Sequence, residues 1–195
     1  LSREPVEFFA RLPLIGDIAV SPTGDYLAIK QEYDGKYYLV VDKIRGNKRD
    51  RSYASKLGDY ELRWMRWVTP SRLLVSIGFA ARRYGVPTSE TRLFAINYDG
   101  SNLKDMVKQR KGERVVQFQD DVVDILRNDP DHILMAYNES DPSRPRVYKV
   151  NIHTGRDSVV EGSQKGIYDW STDQRGEVRI GKGIRNNMWE TIVRD

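Results

Sequence analysis

The run Asp17-Ile18-Ala19-Val20-Ser21-Pro22-Thr23-Gly24-Asp25-Tyr26-Leu27-Ala28-Ile29-Lys30 decides the fold class. Two short apolar stretches flank a Ser-Pro-Thr-Gly connection, which is the pattern of two strands joined by a tight turn and not of an amphipathic helix. A second turn signal, Asp34-Gly35, leads into a third apolar run over residues 36–42. Asp-Gly between such runs is a strong short-range hairpin signal, because the turn needs residues that tolerate positive φ.

Working outward, the same order recurs. A second unit opens over residues 62–68, turns at Thr69-Pro70-Ser71, runs through 72–77 and continues over 91–97. A third opens over 121–126, turns through Asn128-Asp129-Pro130-Asp131, and continues over 132–137 and 146–151. A fourth opens over 167–170, turns through Ser171-Thr172-Asp173, and continues over 177–182 and 188–193. The second strands centre on Leu27, Leu74, Leu134 and Val178, about 50 residues apart on average, the period of propeller blades. The expected class is therefore all-β: a partial β-propeller of about four antiparallel blades over residues 14–57, 58–110, 111–162 and 163–195, the last incomplete. Polar stretches over 49–57, 102–107 and 156–161 suit the outer strand of each blade. Residues 1–13 read as a short helix, with Pro5 in its first turn, Val6, Phe8, Phe9 and Leu12 on one side, and Pro13 ending it.

Composition narrows the class further. The 195 residues carry 32 Lys+Arg against 28 Asp+Glu, an interleaved balance of the kind a solvated surface carries, not the one-sided concentration of a nucleic-acid binder. No apolar run reaches the 18 or so residues of a membrane-spanning helix. The absence of cysteine removes disulfides, thiol nucleophiles and cysteine metal sites. Leu1 in place of an initiating Met predicts a processed or truncated start.

The phrase Ser21-Pro22-Thr23-Gly24-Asp25-Tyr26-Leu27-Ala28 resembles the S-P-x-G-x-x-L-A turn of the PD40/TolB-type propeller repeat. Preceded by Pro5-Val6-Glu7-Phe8-Phe9-Ala10-Arg11-Leu12-Pro13 and Ile15-Gly16-Asp17-Ile18-Ala19-Val20, it is similar to the start of the mature chain in bacterial prolyl-oligopeptidase-family (S9) serine peptidases. The resemblance implies an N-terminal propeller that restricts substrate access and contributes peptide contacts, joined to a C-terminal α/β-hydrolase domain with a Ser-Asp-His triad. No G-x-S-x-G nucleophile elbow and no strand–helix alternation occurs here, so no catalytic residue is assigned. The chain itself is expected to be inactive, with the hydrolase domain absent from it. The family implies a periplasmic or secreted location, with the cytoplasm as the alternative. A free-standing TolB-like module for protein–protein interaction is the competing reading, and a carbohydrate-binding propeller a weaker third.

The residues singled out for substrate contact are Arg82, Arg83 and Tyr84, in what reads as a long hairpin insertion over 78–87, where an Arg pair would take a peptide carboxylate or an acidic partner surface in bidentate fashion. His132 and His153 read as turn residues, since no second ligand follows at a metal-binding spacing. The acidic group Asp120, Asp121 and Asp124 reads as an exposed strand start, and Gly181-Lys182-Gly183 as a strand end instead of a phosphate loop. No metal or cofactor is expected. Trp64, Trp67, Trp170 and Trp189 are expected to pack between blades. Exposed blade edges predict a homodimer; neither a nucleic acid nor a membrane is an expected partner.

Overall fold

The computed structural model describes residues 14–109 and 115–194, and the helix expected over residues 1–13 lies outside them. Among the described residues every regular element is a strand, and no helix is long and apolar enough to cross a membrane. The strands form four antiparallel sheets. The first holds β1 (Ile15–Val20), β2 (Tyr26–Tyr33), β3 (Lys36–Arg45) and β4 (Lys48–Lys56); the second β5 (Glu61–Trp67), β6 (Arg72–Arg83), β7 (Val86–Asn97) and β8 (Lys104–Asp105). The third holds β9 (Val122–Asp124), β10 (His132–Tyr137), β11 (Arg146–Asn151) and β12 (Asp157–Glu161); the fourth β13 (Ile167–Thr172), β14 (Val178–Arg185) and β15 (Met188–Val193). Each sheet is a meander, with strands in chain order.

Two compact units are distinguished, Leu1–Phe79 with Ile96–Ser101, and Ala80–Ala95 with Asn102–Asp195, so the boundary runs through the second sheet. In the first unit, Tyr26, Ala28, Leu39 and Val41 of the first sheet pack on Leu62, Met65, Trp67, Leu73 and Val75 of the second. Alternation along each strand, with a bulge between Leu62 and Trp64 in β5, puts these residues on one face and leaves their neighbours for the other. The Trp67 indole N–H donates to the Ala19 carbonyl at 3.0 Å, and Lys30 Nζ donates to the Leu62 carbonyl at 2.9 Å. Tyr26 stacks on both Trp67 and Tyr98.

In the second unit, Leu126, Leu134 and Val147 of the third sheet meet Ile167 and Trp170 of the fourth. The Trp170 indole donates to the Pro145 carbonyl at 3.0 Å, and Thr172 Oγ1 donates to Asp124. Gly181 and Gly183 make room within the fourth sheet for the Trp170 ring and the Gly166-Ile167 backbone. A Cβ on Gly181 would lie 2.8 Å from the Trp170 ring, and one on Gly183 would lie 1.7 Å from the Gly166 carbonyl oxygen. Gly181-Lys182-Gly183 is thus the middle of β14 and not a strand end, because the strand continues to Arg185.

Two further expectations change. Trp67 and Trp170 are buried, but Trp189 is 78% exposed on the last strand, so it does not pack between sheets among the described residues. The third sheet opens later and more briefly than residues 121–126 suggested, because Leu126 takes a positive φ and ends the strand pairing at Asp124. The outer strand β4 is exposed or half-buried along its whole length, as a solvent-facing edge requires.

Candidate functional site

The segment that reads as a loop insertion is not a loop. Strands β6 and β7 extend to a two-residue turn at Tyr84-Gly85, with φ of 53° and 81°. Two successive positive φ values are the type I′ geometry that matches the twist of paired strands. Tyr84, a residue that seldom adopts this conformation, stands 89% exposed at the tip.

Arg82 and Arg83 are neighbours on one strand, so their side chains leave opposite faces of the hairpin. The structure does not bring them together as a carboxylate fork. Arg82 is exposed and its guanidinium donates to the Gly85 carbonyl at 3.2 Å. Arg83 turns inward, where its Nε donates to Glu90 Oε1 at 2.8 Å, while Arg92 Nη2 donates to Glu90 Oε2 at 2.7 Å. One buried carboxylate is thereby shared by two guanidiniums. Arg83 Nη2 is buried with no hydrogen-bond partner among the described residues.

Beside this pair, the buried Thr91 accepts from the Gln119 N–H at 2.9 Å and donates to Asp120 Oδ1 at 2.6 Å. Gln117 reaches Thr88 Oγ1 at 2.7 Å. These bonds tie residues 115–120 along the base of β7, so the hairpin projects from a pinned foot. The sequence reading missed Glu90 and Arg92. The only signal was a Glu two residues before an Arg in a strand, which places both on one face.

The histidines are held in turns. His132 Nδ1 lies 2.9 Å from Asp129 Oδ1, and His153 Nε2 lies 3.2 Å from Asp131 Oδ1. The Asp129 carboxyl is lowered to about 2, chiefly by its hydrogen bond from Lys149 and next by that with His132. Asp121, by contrast, is raised by lost hydration and then by the charges of Asp169 and Asp120. No group of three metal-ligating side chains is found among the described residues. Asn138, which with Glu139 and Ser140 spells a glycosylation-type N-x-S triplet, is buried, its amide donating to the Arg144 carbonyl at 2.7 Å and its oxygen accepting from Ser140 N–H.

A cleft of about 510 Å³ opens between the third and fourth sheets, with Asp129, Lys149, Glu161, Arg175, Arg179 and Arg194 among its walls. Most of its charge is internally compensated: Lys149 pairs with Asp129 at 2.7 Å, Arg194 with Glu161 at 2.7 Å, and Arg179 with Asp173 at 3.0 Å. What the hairpin leaves exposed at its tip is Arg82 and Tyr84. The chain matches no family model, and no curated protein matches it.

Proposed function

We propose that this chain is the N-terminal, non-catalytic propeller region of a prolyl-oligopeptidase-like serine peptidase, whose hydrolase domain is carried elsewhere in the full-length protein. Its four sheets are blades, and its role is to restrict access and to contribute peptide contacts. The observation that carries this reading is the way successive sheets meet: β1 touches β5 in one unit and β9 touches β13 in the other. First strands lying side by side, each followed by its meander, is how blades surround a channel. Passage through the bacterial envelope, to a periplasmic or secreted location, belongs to the same proposal.

Within it, Arg82 and Tyr84 are the substrate-contacting members of the hairpin, and Arg83 positions it through Glu90. In the full-length gene product, Arg82→Ala and Tyr84→Ala should raise the peptide KM several-fold at unchanged thermal stability, whereas Arg83→Ala should lower the melting temperature. A peptide KM unmoved by the first two variants removes their assignment. The gene product's hydrolysis of chromogenic peptides, abolished by a serine-directed inhibitor, tests the peptidase reading itself. A TolB-like interaction module is favoured instead by the exposed, aromatic tip of the hairpin; a gene encoding further blades and no nucleophile elbow would select it.

A further inference from the structure

The two edges of the β6–β7 hairpin are finished differently. Tyr84-Gly85 is a two-residue turn, so Arg83 and Val86 face one another and exchange backbone hydrogen bonds, as does every second pair along the hairpin. The residues between turn their backbone polar groups outward: Ala80 and Arg82 on the β6 side, Pro87, Ser89 and Thr91 on the β7 side. The bonds that Ser89 and Thr91 make to Gln117 agree with this phase.

The β7 edge is closed. Pro87 has no N–H to offer, and the Ser89 carbonyl accepts from the Gln117 side-chain amide at 2.9 Å. The Thr91 N–H donates to the Gln117 carbonyl at 2.9 Å, and the Thr91 carbonyl accepts from Arg92 Nη1 at 2.7 Å. The β6 edge is open. Strand β5 begins at Glu61, opposite Gly78, whereas β6 continues beyond Gly78 to Arg83. The outward N–H and C=O groups of Ala80 and Arg82 therefore have no strand beside them among the described residues.

The side chains along this edge are exposed as well. Ala80 and Arg82 share one face of the hairpin, and both stand in solvent. The Arg82 guanidinium gives one N–H to the Gly85 carbonyl and pairs with no carboxylate among the described residues. An unpaired strand edge is a template for another extended chain, and an opposite charge directly across from Arg82 stabilises the pairing.

We infer that the open edge of β6 takes an extended peptide as an added antiparallel strand, with an acidic residue opposite Arg82 and, two residues later, an apolar residue opposite Ala80. The antiparallel sense is the one in which β5 pairs with the preceding half of β6, and it is the more stable per residue. The small Ala80 side chain leaves space for a larger one across from it. The occupant is a peptide because the inference rests on the reading of this hairpin as a peptide contact. To that reading it adds the peptide backbone as the main recognition element and an acidic side chain as the selected one.

The test uses the full-length gene product, treated with a serine-directed inhibitor so that bound peptide is not cut, and a capped pentapeptide with glutamate second and valine fourth. Residue-resolved amide hydrogen exchange should find Ala80 and Arg82 unprotected and Thr91 protected in the free protein, and should find the first two slowed when the peptide is added. Methylating the glutamate nitrogen removes the N–H that pairs with Arg82 and should weaken binding about tenfold, as should Ala80→Pro, which deletes a donor where an edge strand tolerates proline. Glutamine in place of the glutamate, or Arg82→Ala, should weaken it about threefold, and the two together no further. Protection of Ala80 and Arg82 in the free protein, whether by another part of the full-length chain or by a second copy, overturns the inference. So does a peptide that leaves their exchange unchanged or that binds the Ala80→Pro protein equally well. The two readings fail separately: a gene product without inhibitor-sensitive peptidase activity whose edge still takes the peptide loses the peptidase reading alone, and an active one whose edge does not take it loses this inference alone.

Discussion

Ser21 closes the first hairpin with both its backbone and its side chain. Its N–H donates to the Tyr26 carbonyl at 2.9 Å, and its hydroxyl accepts from the Tyr26 N–H at 3.0 Å, in a nearly solvent-free position. Ser21→Ala leaves the Tyr26 N–H without this acceptor and should cost about 1–2 kcal/mol, measured by urea denaturation. Asp173 performs the same closure in the fourth sheet, accepting from the N–H groups of Arg175 and Glu177, and Gly176 repeats the positive φ of Gly24. This recurrence was half legible: Gly24 and Gly176 stand three residues after Ser21 and Asp173, but a serine and an aspartate do not look alike until their shared acceptor role is seen. Asp121 gives a pH test. Its carboxyl is raised to about 6 by lost hydration, with Asp169 and Asp120 adding repulsion. The folded state therefore binds the proton more tightly than the unfolded chain, and the group's contribution to stability falls as pH rises from about 4 to 6. Asp121→Asn should match the parent below pH 4 and exceed it by about 1 kcal/mol above pH 6, a figure discounted because the side chain is partly solvated. Paired thermal melts across that range check it, and a difference that does not vary with pH refutes it.

At the scale of elements, the β6–β7 hairpin shows where sequence patterning stops being informative. Gly85 and Pro87 interrupt the apolar alternation, so residues 78–87 resemble a loop. The strands nevertheless continue, because Glu90 ties Arg83 to Arg92 across the hairpin base. Glu90→Gln should destabilise by about 2 kcal/mol, since it leaves two partly buried guanidiniums sharing a neutral amide. Arg82→Ala, on the exposed face, should change stability by under about 0.5 kcal/mol. Chemical denaturation of the two variants side by side separates the inward arginine from the outward one. Register was the other thing the spacing alone did not settle. Pairing aligns Leu27 with Leu73 and not Leu74, since each lies opposite the last residue of its leading strand, Val20 or Trp67. A slip of one residue exchanges the two faces of a strand, which is why the four sheets were legible from turns and apolar bursts while the faces that meet were not.

At the scale of the whole molecule, the cores are shared: each cluster of buried apolar residues draws on two sheets. This is the energetic logic of repeat proteins, in which interfaces between neighbours supply much of the stability. In the second unit the shared core is Leu126, Leu134 and Val147 against Ile167 and Trp170, closed by the Trp170–Pro145 and Thr172–Asp124 hydrogen bonds. All of these residues fall after residue 115, so a fragment of residues 115–195 contains the whole of the core that the third and fourth sheets share. It should fold alone, with a cooperative thermal transition and emission shifted to shorter wavelength by the buried Trp170. Removing that indole should cost about 3–5 kcal/mol, enough to abolish the transition in a fragment of this size, given the 5–15 kcal/mol typical of whole domains. Trp189→Ala should leave the transition in place, because that ring is mostly in solvent. A fragment that melts without cooperativity, or one in which both tryptophan variants behave alike, would show that the third and fourth sheets take their order from the rest of the chain and that the unit of folding is larger than two sheets.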